Sequence, residues 1–150
     1  MVWLFLIGAA FFVLGGLLSV QPSKTQKRIA GLREKAMQKG LHVKLPVSLK
    51  FPEGVTKSDK PYYCKNLSDR SLAHQFVHVM RMDDGSLKSK SSGCSKCKSL
   101  FETSLKGLPL EFNAIYMGSG LLGISWNEAI VTEIPENLLE CLAEIESGLV

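Results

Sequence analysis

Residues 110–127 read LEFNAIYMGSGLLGISWN, and their reading decides the fold. Two runs rich in aromatic and β-branched residues flank Gly118-Ser119-Gly120, the turn chemistry of a tight β-hairpin. Alternation sets Phe112, Ala114 and Tyr116 on one face, with Leu122, Ile124 and Trp126 across from them. Working outward, Ala73 to Met82 is rich in Val, Phe and Met and stops at Asp83-Asp84-Gly85, a second strand signal. Leu41 to Phe51 alternates without exception: Leu41, Val43, Leu45, Val47, Leu49 and Phe51 are apolar and the residues between them are not. That pattern predicts a strand with one buried face, placed at an edge because Pro46 has no N–H to give. Residues 52–61 read as a proline-bounded loop.

Residues 98–107 predict a short helix with Leu100, Phe101 and Leu105 inward. After Pro135, the residues Leu138, Cys141, Leu142 and Ile145 recur at helical spacing. At the other end, Ser23 followed by Gln26 forms a capping-box pattern that opens a basic helix ending near Lys39-Gly40. The order predicts an α+β domain with an antiparallel sheet of about four strands and helices on one face. A Ser/Lys-rich loop at 83–99 interrupts it.

Val2 to Val20 carries no charge over 19 residues. As a helix it measures roughly 28 Å, close to a hydrocarbon core, and no basic n-region marks it as a cleaved signal. The expected layout is a single-pass transmembrane anchor at 1–21, a basic juxtamembrane helix at 22–40 and a domain at 41–150. Residues 21–50 hold eight Lys or Arg against Glu34 alone, a net +7, within a chain of net +4. By the positive-inside rule this puts the C-terminal domain in the cytoplasm, at a cell membrane of the bacterial inner-membrane kind. A basic excess confined to that stretch suits anionic lipid rather than nucleic acid.

The stretch Gln21-Pro22, Gln26-Lys27-Arg28 and Lys39-Gly40-Leu41-His42-Val43 resembles the start of the YajC-type accessory subunits of bacterial preprotein translocase. The resemblance implies one N-terminal span, a basic helix and entry into a β-domain that serves a membrane complex. It covers under a third of the chain, and the glycine-rich continuation of that family is absent after Val43.

Cys94-Ser-Lys-Cys97 is the motif with chemical potential. As half of a zinc site it takes His74 and His78 as the other ligands, or Cys64 in place of one histidine. In a strand, however, those histidines stand about 13 Å apart. As a thiol redox site it has Lys96 and Lys98 to favour a thiolate, but such a motif belongs in a β-α-β unit, and residues 86–99 read as a loop. As ordinary loop thiols, the two cysteines need no partner. Cys141 on its apolar stripe reads as a small core residue. No G-x-S-x-G, phosphate loop or carboxylate pair is present. The expected function is therefore non-catalytic: a membrane-tethered interaction domain, an accessory or assembly subunit without a cofactor, whose partners are membrane lipid and a membrane protein rather than nucleic acid or a small-molecule substrate. The alternative is a zinc-binding or thiol-redox module built on Cys94 and Cys97.

Overall fold

A computed structural model describes residues 2–19, 22–136 and 138–149. Helix α1 (Val2–Ser19) leads to α2 (Lys24–Gln38) and then to β1 (His42–Lys44), β2 (Tyr62–Asn66), β3 (Phe76–Arg81) and β4 (Leu87–Ser92). Helix α3 (Ser95–Gly107), β5 (Phe112–Gly118), β6 (Leu121–Trp126) and α4 (Leu138–Ser147) complete the chain. The six strands form one antiparallel sheet in the order β1-β2-β6-β5-β3-β4.

The single-pass expectation is corrected here. Among the described residues no helix is long and apolar enough to cross a membrane. Helix α1 is described over 18 residues, Val2–Ser19, roughly 27 Å of helix. Val20 and Gln21, the expected end of the apolar run, lie outside the described residues. The transmembrane element of the expected architecture, the inner-membrane localisation and the orientation inferred from flanking charge all rested on that span.

The hairpin at the centre of the sheet forms as its sequence predicts. Ser119 and Gly120 both take positive φ, 53° and 78°, as a two-residue turn between right-twisted strands demands. Its facing is different from simple alternation. A bulge between Phe112 and Ala114 shifts the register, so that Phe112, Ile115 and Met117 oppose Trp126, Ile124 and Leu122. Ala114 and Tyr116 turn to the opposite face.

Each face of the sheet has its own cover. On one, Leu32 and Ala36 of α2, Phe101 and Leu105 of α3, and Leu142 and Ile145 of α4 pack on Tyr63, Val77, Val79, Ile115, Ile124 and Trp126. On the other, Leu49, Phe51 and Val55 lie over Tyr62, Phe76, Ala114 and Tyr116. The strand expected over 41–51 therefore ends after three residues. Pro46 opens a 3-10 turn (Pro46–Ser48), and the regular apolar alternation divides. Leu41 enters the helix-side core, Leu49 enters the other, and Leu45 and Val47 are exposed.

Helix α2 begins at the Ser23–Gln26 capping box and is built into the domain. Arg33 forks onto both carboxylate oxygens of buried Glu128 at 2.7 Å, and the Tyr63 hydroxyl donates to the same carboxylate at 2.6 Å. Arg28 donates to the carbonyls of Glu128, Ala129 and Val131. Two of the basic residues expected to face lipid headgroups thus tie the helix to the turn after β6.

Candidate redox site

Residues 86–99, read from sequence as a loop, contain an edge strand. β4 pairs with β3 over six residues, and its Leu87, Ser89 and Ser91 alternate inward against exposed Lys88, Lys90 and Ser92. Since β4 and β5 both run antiparallel to β3, they are parallel to each other, and α3 connects them. The Cys-x-x-Cys motif therefore does lie in a β-α-β unit, at the start of its helix.

Gly93 makes the exit from β4 with φ 98°, a conformation that suits glycine. Its neighbour Cys94 is the N-cap of α3, in extended conformation, and its sulfur accepts the Cys97 backbone N–H at 3.1 Å. The two sulfurs form a disulfide, with Cα atoms 5.3 Å apart. Cys94 is half-buried, whereas Cys97 is only 2 % exposed and belongs to the helix-side core. Gln75 ends the 3-10 turn Arg70–His74 and holds its side-chain oxygen 3.7 Å from Cys97 Sγ. Around the helix start, Lys96 is exposed, and Lys98 faces Glu102 at 3.9 Å.

The other two cysteines differ in kind. Cys64 is fully buried beneath the second face, where burial pushes its thiol up to about 12. Cys141 on α4 is half-buried, and burial, followed by nearby Glu144, raises its thiol as well. Neither thiol is suited to act as a nucleophile near neutrality.

The four side chains considered for zinc belong to three different elements. His74 closes the 3-10 turn before β3, while His78 sits within β3, on the sheet face opposite the helices. Its Nε2 bonds the Tyr62 hydroxyl at 2.9 Å, and burial lowers its pKa to about 4. Cys94 and Cys97 are bonded to each other. Among the described residues no group of three or more His, Cys, Asp or Glu side chains converges on a common point.

Sequence reasoning found both cysteines and missed Gln75, for which no sequence signal exists. Comparison with protein-family models, curated proteins and solved structures yields no match to this chain.

Proposed function

We propose that this chain is a thiol–disulfide redox domain in which Cys94 attacks and Cys97 resolves. One observation carries the reading: a bonded cysteine pair at a helix N-terminus, with the first sulfur reachable from solvent and the second in the core. In the reduced protein, the positive end of α3, the Cys97 N–H and the charges of Lys96 and Lys98 all favour a thiolate at Cys94. Gln75 is positioned to accept the S–H of Cys97 and keep that thiol protonated until it is needed.

The exchange balances as follows. The Cys94 thiolate attacks one sulfur of a substrate disulfide, the substrate S–S bond breaks, and the departing thiolate takes a proton from water. Cys97 then gives its proton to water and attacks Cys94 Sγ. The mixed disulfide breaks and the second substrate thiolate leaves. The substrate gains two electrons, and the pair loses two in forming its own bond.

The test uses the Cys97→Ser chain incubated natively with glutathione disulfide and read by mass spectrometry. The expected result is a single glutathione adduct on Cys94, with Cys64 and Cys141 unmodified. Absence of an adduct, or modification of Cys141 as fast as Cys94, removes the reading.

A second reading, the non-catalytic interaction domain, draws on a different observation. β4 ends the sheet, and among the described residues no strand covers its outer edge, which leaves backbone groups free to receive an added strand from a partner. Proline at Ser89 or Ser91 would separate the two readings, since it alters the edge and leaves both cysteines intact.

A further inference from the structure

The sheet face opposite the helices carries a small cavity that thiol exchange does not use. It has a volume of about 160 Å³ and lies between the 54–56 segment, His78 of β3 and the β4 residues Lys88 and Lys90. A volume near 150 Å³ takes a guest of about benzene size, so this space suits an ion of a few heavy atoms.

His78 determines what that guest must be. It is 2 % exposed and wedged edge-on to Phe51, with ring centroids 5.3 Å apart. Its Nε2 meets the Tyr62 hydroxyl at 2.9 Å, and among the described residues that hydroxyl has no other acceptor. A buried hydroxyl gives its proton to the one acceptor within reach, so Nε2 accepts and the imidazole proton resides on Nδ1. Among the described residues, no protein group takes a hydrogen bond from Nδ1. Nδ1 is also not sealed in protein; the described side-chain atom that is both sealed and unpaired is Trp126 Nε1. His78 lines the cavity, and its Nδ1–H has no acceptor among the described protein groups.

The surrounding charge has one predominant sign. Lys88 and Lys90 stand on the strand beside His78, which pairs directly with Lys90 in the ladder. Lys57 lies over the Phe51 ring at 5.3 Å. Lys90 spends one N–H on the Glu53 carbonyl at 2.7 Å, which anchors its ammonium at the rim and leaves two further donors. Glu53 is the acidic residue of that segment, and its contribution to Lys90 is a backbone oxygen.

We propose that this cavity is a binding site for a small oxyanion, a carboxylate or a phosphate, which accepts Nδ1–H from His78 and charge-assisted hydrogen bonds from Lys88 and Lys90. The site stands on geometry separate from the disulfide and holds whether or not the thiol chemistry does.

The full chain is titrated with inorganic phosphate and, separately, with acetate, each followed by NMR at matched ionic strength with chloride as the reference. The expected result is a saturable shift of the His78 ring signals and of the Thr56 and Lys90 amides, at roughly millimolar affinity, with His42 and His74 unmoved. Saturation by phosphate alone or by acetate alone supports the site and assigns its ligand class. Removal of the Tyr62 partner makes His78 variants prone to unfold, so the decisive variant is Lys88→Ala with Lys90→Ala, both exposed. That pair should weaken binding about tenfold or more through lost charge-assisted bonds. No saturable shift with either anion, equal shifts with chloride, or unchanged binding in the double-lysine variant overturns the proposal.

Discussion

Helices α2 and α3 perform the same task by different chemistry. Both lay an apolar stripe on the same face of the sheet, and both begin at a side chain that accepts a backbone N–H three residues on. In α2 the acceptor is the Ser23 hydroxyl, and the helix is then locked by Arg33, Tyr63 and Glu128. In α3 the acceptor is the Cys94 sulfur, and the first turn is closed by a covalent bond that electrons can open. The difference teaches that one helix is fixed under all redox conditions and the other carries a reversible restraint at its start.

The largest expected effect lies on the fixed side. Glu128→Ala leaves Arg33 and the Tyr63 hydroxyl facing a hole and should cost about 3 kcal/mol in denaturant unfolding, equally in oxidised and reduced protein. A loss below about 1 kcal/mol would show that α2 docks through Leu32 and Ala36 alone. The same network carries a pH signature. Burial works to raise the Glu128 carboxyl, but Arg33 and Tyr63 outweigh it and hold the group below its ordinary 4.5. Its stabilising contribution is thus complete above pH 4.5 and disappears as pH falls through the lower folded value. Glu128→Gln should flatten that acid limb.

Reduction of Cys94–Cys97 comes next. A bridge closing so short a loop removes about 2 kcal/mol of unfolded-state entropy, and reduction should cost up to that amount without touching α2. Hydrogen exchange would check it: faster exchange confined to the first turns of α3 is expected, and faster exchange in α2 would mean the two helices are coupled. Ser23→Ala should cost about 1 kcal/mol in both redox states, through loss of the cap. Smallest of all is Cys94→Ser measured against reduced protein, expected within about 0.5 kcal/mol because a hydroxyl accepts the Cys97 N–H as well as sulfur does.

The elements visible in the sequence are those whose side chains repeat a burial pattern. The β5–β6 hairpin, the core of β3, the capping box of α2 and the stripe of α4 all follow from spacing. β4 does not, because an edge strand of Ser and Lys buries almost nothing and owes its place to backbone pairing with β3. That omission also concealed the β-α-β setting of Cys94 and Cys97. β2 was hidden for a related reason: Tyr62 and Tyr63 are buried on opposite faces, and a strand covered on both sides shows no alternation. The 41–51 pattern promised too much, since its alternating residues divide between two cores.

The central claim is tested most directly by equilibrating the native chain in buffers of graded glutathione redox potential and counting free thiols at Cys94 and Cys97 by mass. The account predicts one reversible two-electron transition in which both thiols appear together, while Cys64 stays unreactive throughout. A pair that remains fully bonded or fully reduced across the whole range, or that opens only when the protein unfolds, would contradict it.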